Sequence, residues 1–158
     1  MCIKQAAREK IQTVMKMKTS KEVLSSVLKT TQMGQVGIRS LLNMPLKPEL
    51  KTALRAQLSE YDGIEHEVLQ LSRDRQWQLK ELSPGTKAMA QMMSRSRLMF
   101  GDASSKAAAM MIQGNTRGVI KGLKNLHRYD RSDRQVTQLE EKLLKTEQDN
   151  IQAMQGFV

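Results

Sequence analysis

The stretch Lys21–Asn43, KEVLSSVLKTTQMGQVGIRSLLN, decides how the chain is read. Leu24, Leu28, Thr31, Gln35, Ile38 and Leu42 follow one another at alternating spacings of four and three residues. Only an α-helix gathers residues at that spacing onto one face, and the alternation is that of a heptad seam. Just upstream, Thr19-Ser20-Lys21-Glu22 is a helix-start signal, with Ser20 the expected N-cap. Just downstream, Pro45 and Pro48 bound a short loop. Pro48 suits the first turn of a second helix, where its missing N–H loses no hydrogen bond.

Outward from that stretch the pattern recurs three times. A second helix is expected over about 48–77, with Leu50, Leu54, Leu58, Tyr61, Glu65 and Val68 on one face, Ile64 beside them and Trp77 near the end. Ser83-Pro84-Gly85 interrupts it. A short helix is expected over about 86–99, rich in Met89, Met92, Met93 and Met99. Gly101-Asp102 breaks the chain again, and Asp102 or Ser104 can cap a third helix over about 103–127. Its stripe reads Ala109, Gln113, Thr116, Ile120, Leu123 and His127. After the polar turn Arg128–Asp133, a fourth helix is expected over about 133–155, with Val136, Leu143, Glu147, Asn150 and Met154 on one face and Leu139 and Ile151 flanking. Short loops join helices one to two and three to four, so each pair is an antiparallel hairpin. The long link between the hairpins implies a crossover running the length of the molecule. The expectation is an all-α fold, a ferritin-like four-helix bundle whose crossover carries a short helix between helices two and three. Residues 1–20 are read as a basic arm or short helix and 21–158 as the bundle domain.

Composition agrees with helices packed on Leu, Met, Ile and Ala. Aromatics are 3% of 158 residues and there are 12 methionines. Cys2 is the only cysteine, which excludes an internal disulfide. No apolar run approaches the roughly 20 residues of a membrane span, and the basic N-terminus has no continuous apolar core of a signal peptide. The expected location is cytoplasmic. The net charge of +10 admits two readings, a polyanion partner bound through the basic arm or a solvated basic exterior.

Each stripe carries polar residues mid-helix. They are Thr31 and Gln35 on the first helix, Tyr61 and Glu65 on the second, Gln113 and Thr116 on the third, and Glu147 and Asn150 on the fourth. In a bundle they would share one layer. Ferritin-like di-metal proteins use such a layer for carboxylate and Glu-x-x-His ligands. Here Glu65, Glu147, Gln35 and Gln113 are the candidate ligands, a set with two amides, and Asn150 stands where a histidine would complete Glu147-x-x-His. The alternative is a hydrogen-bonded layer that fixes helix register, with amides donating to the two carboxylates. His66 is expected at the surface and His127 at a helix end. Gly114, Gly118 and Gly122, four apart, are expected to form a groove for close packing by a neighbouring helix or by a second subunit. No phosphate-binding glycine loop, CxxC pair or nucleophile elbow occurs.

The segments Gln32-Met-Gly-Gln-Val-Gly-Ile-Arg39, Gln57-Leu-Ser-Glu-Tyr-Asp62 and Met111-Ile-Gln-Gly-Asn-Thr-Arg-Gly118 resemble a group of uncharacterised proteins of Gram-positive anaerobes. More distantly the chain resembles ferritin-like stress proteins, in which a Gly-Asp break such as Gly101-Asp102 precedes the third helix. It also resembles the spore coat F family, in which a Trp follows helix two as Trp77 does. The resemblance implies a ferritin-like fold over about residues 22–156, frequent homo-oligomerisation, and metal ligands at Gln35, Glu65, Gln113 and Glu147. Three functional readings follow: a non-enzymatic bundle with a structural, stress or spore-associated role; a metal-binding protein using the mid-bundle carboxylates; and a polyanion-binding module using the arm.

Overall fold

The computed structural model describes residues 3–7, 16–87 and 101–158. Within them the chain is all-helical, with four long helices: α1 (Ser20–Leu42), α2 (Pro48–Asp74), α3 (Ala103–His127) and α4 (Arg134–Gln155). Residues 3–7 and 84–87 are also helical. Most of the methionine-rich helix expected over 86–99 lies outside the described residues.

Local chemistry sets each boundary. Thr19, not Ser20, caps α1. Its hydroxyl accepts from Glu22 N while the Glu22 carboxylate accepts from Thr19 N, the reciprocal pairing of a capping box. Position 19 wins because Glu22 lies three residues beyond it. Pro48 opens α2 as expected. That helix ends at Asp74, not Trp77, because Gln76 adopts a left-handed φ of 55°. Gln76 N then donates to Arg73 O and Trp77 N to Ser72 O, which satisfies two terminal carbonyls and turns Trp77 back onto the core. Asp102 and Asp133 cap α3 and α4 through their carboxylates.

The four helices pack about one core of Val23, Leu24, Leu28, Ile38, Leu50, Leu54, Ile64, Val68, Val136 and Leu143, among others. The two hairpins, α1–α2 and α3–α4, have the most extensive contacts. Their relative direction follows from the hydrogen bonds at their ends. Lys47 N donates to Ser104 Oγ, so α3 begins beside the α1–α2 loop. Asn125 Nδ2 donates to Ser26 Oγ, Lys18 N to Arg128 O, and Arg75 pairs with Asp133. The end of α3 and the start of α4 therefore lie at the opposite pole. Thus α1 and α4 run one way and α2 and α3 the other. After α2, residues 80–82 lie along α1, where Lys80 N donates to Ser25 Oγ and Leu82 N to Gln32 Oε1.

The stripes of α1, α2 and α4 are those expected, with Leu42, Leu58, Glu65 and Ile151 half-buried at their edges. That of α3 is not. Gln113, Thr116 and His127 are exposed, and Ile120 and Leu123 are 48% and 51% exposed. The inward row is Ser104, Ala108, Met111, Asn115, Gly118, Gly122 and Asn125, again at alternating spacings of four and three. Bulk points outward on this helix and small residues point in.

Candidate functional site

The α3 row faces a complementary one on α4. Val136, Glu140, Leu143, Glu147, Asn150 and Met154 are all buried and also alternate by four and three. Two carboxylates therefore enter the interior, and the glycines of α3 make room for them. A Cβ on Gly118 would stand 1.9 Å from Glu147 Oε1, and one on Gly122 would stand 2.8 Å from Glu140 Oε1. Any side chain larger than hydrogen at Gly118 collides with the buried carboxylate. Gly114 has nothing within 4 Å of that position and does not belong to the slot. Of the three glycines read from the sequence as a packing groove, two receive a neighbouring helix of the same chain and one is open.

Around the carboxylates lie amides and one phenol. Asn125 Nδ2 donates to Ser26 Oγ at 2.8 Å and, at 3.5 Å, to Glu140 Oε2, while its Oδ1 accepts from Lys18 Nζ. Tyr61 OH donates to Asn115 Oδ1 at 2.7 Å, and Asn115 Nδ2 donates to Met111 O. The Tyr61 ring lies where a Cβ on Gly34 would approach it to 2.7 Å. Glu147 Oε2, Thr31 Oγ1 and Asn150 Nδ2 are buried with no hydrogen-bond partner among the described residues.

Burial dominates the electrostatics. It pushes the Glu147 carboxyl up to about 8, with the neighbouring Glu140 charge adding to the rise and Lys121 opposing it. Burial likewise pushes Glu140 up to about 7, against the hydrogen bond from Asn125 and the charges of Lys18 and Lys121. The Tyr61 hydroxyl is raised by burial and then by Glu147, and stays a neutral donor. The seam thus holds two carboxyl groups that exchange protons near neutrality.

A second polar group lies at the edge of the α1–α2 hairpin. Gln35 Nε2 donates to Asp62 Oδ1 at 2.8 Å and to Glu65 Oε1 at 3.3 Å. Gln32 Nε2 reaches Glu65 Oε2 and Glu81 Oε1, both at 3.3 Å. Arg39 pairs with Asp62. These carboxylates are half-buried or exposed and carry amide or guanidinium partners.

The four candidate metal ligands are accordingly divided. Gln35 and Glu65 belong to the α1–α2 edge, Glu147 is seated on Gly118, and Gln113 faces solvent on the opposite side of α3. Among the described residues no three His, Cys, Asp or Glu side chains gather at one point. The expected quartet does not form one coordination shell. Of the expected polar layer, Thr31, Tyr61 and Asn150 are buried, whereas Thr116 is exposed and bonds back to Ile112 O. Gln113 and Thr116 face outward for one reason: on α3 the bulky residues do not mark the buried face. Glu140, Asn115 and Asn125 enter the site without belonging to the expected layer. Glu140 had a signal, since Val136 and Leu143 leave the heptad position between them to residue 140. The chain matches no protein-family model, no curated protein and no solved structure.

Proposed function

We propose that this chain is a non-enzymatic helical scaffold with the connectivity of ferritin-like bundles, in which the mid-helix polar layer sets helix register and no longer holds a metal. The observation that carries this is the seating of Glu147 and Glu140 on Gly118 and Gly122. A carboxylate pressed against the backbone of a neighbouring helix specifies one axial offset between α3 and α4, as buried polar groups do where they define register. The directions of the four helices and the chain segment along α1 support the short, long, short connectivity. A structural, stress- or spore-associated role inside the cell, as a homo-oligomer, is the setting that the sequence resemblance supplies.

The test is elemental analysis of the purified protein, melting with and without iron, manganese and zinc, and an assay of ferrous iron oxidation. The scaffold reading expects no stoichiometric metal, no ion-specific shift in melting and no oxidation above the buffer rate. A stoichiometric metal lost in the Glu65→Gln/Glu147→Gln double variant would establish the metal-binding reading in its place.

A further inference from the structure

Charge is unevenly divided among the helices. Helix α1 carries three Lys or Arg against one Asp or Glu, and α3 carries four against none. Helix α2 carries three against six and α4 three against four. The Asn125–Ser26 bond puts α1 beside α3, and the Lys142–Glu67 pair puts α4 beside α2. One side of the molecule is therefore strongly basic and the other mildly acidic. Across its 25 residues α3 has no Asp or Glu, while Lys106, Arg117, Lys121 and Lys124 lie on it. Among the described residues the ion pairs involve Arg39, Arg75, Arg131, Lys142 and Lys145 and no cation of α3. Folding even crowds like charges: burial disfavours the Lys121 ammonium, and the nearby Lys18 and Lys29 disfavour it further, against Glu140 and Glu147.

Exposed aliphatic side chains lie on the same two basic helices. Among the described residues, the large hydrophobic residues most exposed to solvent are Ile3, Met17, Met33, Ile120, Leu123 and Val158, and the three of these that fall on the four long helices are all on α1 or α3. On the outward turns of α3, Ile120 and Leu123 stand among Arg117, Lys121 and Lys124. On α1, Met33 lies two turns beyond Ser26, the residue bonded to α3. Cations and bare aliphatics together suit a partner that is anionic at its surface and apolar just beneath it. A phosphodiester backbone offers nothing to Ile120 and Leu123, and among the described residues no aromatic side chain is exposed for base stacking.

We propose that the α1–α3 side docks on an anionic lipid surface, with Arg117, Lys121 and Lys124 on the headgroup phosphates and Ile120 and Leu123 entering the interfacial layer. No helix of the described residues is long and apolar enough to cross a membrane, so this attachment lies on the bilayer and does not span it. The surface adjoins the polar layer at Lys121, whose charge acts on Glu140 and Glu147, while Arg117, Ile120, Leu123 and Lys124 face away from that layer.

The experiment is co-sedimentation of the full chain with vesicles of phosphatidylcholine alone and of phosphatidylcholine with phosphatidylglycerol, at low and raised salt, with duplex DNA as competitor. The protein is expected to bind only the anionic vesicles and to dissociate as salt rises. Arg117→Gln/Lys121→Gln/Lys124→Gln should weaken binding about tenfold or more. Ile120→Ser/Leu123→Ser, exposed positions at which circular dichroism should report an intact fold, should weaken it roughly fivefold. Three results would overturn the proposal: no binding to anionic vesicles at low salt, vesicle binding indifferent to the Ile120/Leu123 change, or duplex DNA displacing the vesicles and binding the Ile120/Leu123 variant undiminished.

Discussion

The two hairpins treat carboxylates in opposite ways. At the α1–α2 edge, Gln32, Gln35, Asp62 and Glu65 bond to one another near solvent. In the α3–α4 seam, Glu140 and Glu147 sit inside, with, among the described residues, one distant amide bond to Glu140 and an unpartnered oxygen on Glu147. The lining makes the difference. The α1–α2 seam is filled by Leu24, Leu28, Ile38, Leu50 and Leu54, which admit uncharged Thr31, Gln35 and Gln57 but leave the carboxylates of Asp62 and Glu65 only the rim. Beyond Met111 the inward row of α3 is Asn115, Gly118, Gly122 and Asn125, which leaves a slot that glutamates fill. The lesson is that a mid-stripe polar residue is placed by what faces it as much as by its own helix.

The sharpest break of this contrast is at Gly118. Replacement by Ala should destabilise the protein by about 3 kcal/mol in urea denaturation, the upper end for overpacking a core. Combining it with Glu147→Ala should recover at least about 1 kcal/mol of that loss, since the two side chains compete for one space. A purely additive double variant would mean that the slot is not specific.

Next in size is the pH response. In the folded state Glu147 and Glu140 keep their protons up to about 8 and about 7, whereas an unfolded glutamate loses its proton near 4.5. Protons are thus bound more tightly in the folded chain, so the stabilising contribution is complete below pH 4.5 and is lost as pH rises toward 8. Across that window stability should fall by about 2 kcal/mol or more. Glu147→Gln, a neutral side chain of the same size, should flatten most of the slope in melts taken across the range. A slope unchanged in this variant would locate the titration elsewhere.

Smaller effects should mark the rest of the contrast. Gly114→Ala, at an open helical position, should stabilise by roughly 0.5–1 kcal/mol, opposite in sign to Gly118→Ala. Asp62→Asn at the α1–α2 edge should change stability by less than about 0.5 kcal/mol, as for other exposed ion pairs. A large loss there would show that the edge network is as integral as the buried seam.

Much of the fold is legible without coordinates because α1, α2 and α4 carry leucine, isoleucine and valine at heptad spacing. There the largest side chains are also the buried ones, so periodicity and burial agree. On α3 they disagree. Ile120 and Leu123 outweigh Gly118, Gly122, Asn115 and Asn125 on any scale of apolarity, yet the small residues face the core. The requirement that selects them belongs to α4, whose Glu140 and Glu147 need space and donors, and no window on α3 alone contains it. The candidate ligand set divides for the same reason, since the orientation of α3 carries Gln113 and Thr116 out of the layer. The glycine spacing was the one local trace of the true face, and Gly114 blurred it by extending the row to an open position.

The segment before α1 is tied to the α3–α4 turn: Lys18 N donates to Arg128 O, and the Arg128 guanidinium donates to Lys16 O across 112 residues of sequence. Closing so long a loop carries a large entropic cost and can follow only once both hairpins stand side by side. Each hairpin, by contrast, closes over a short turn. Residues 16–19 should therefore be the last part of this region to dock during folding and the first to open in native-state hydrogen exchange, so that the entry to α1 reports on whether the two halves of the molecule have met.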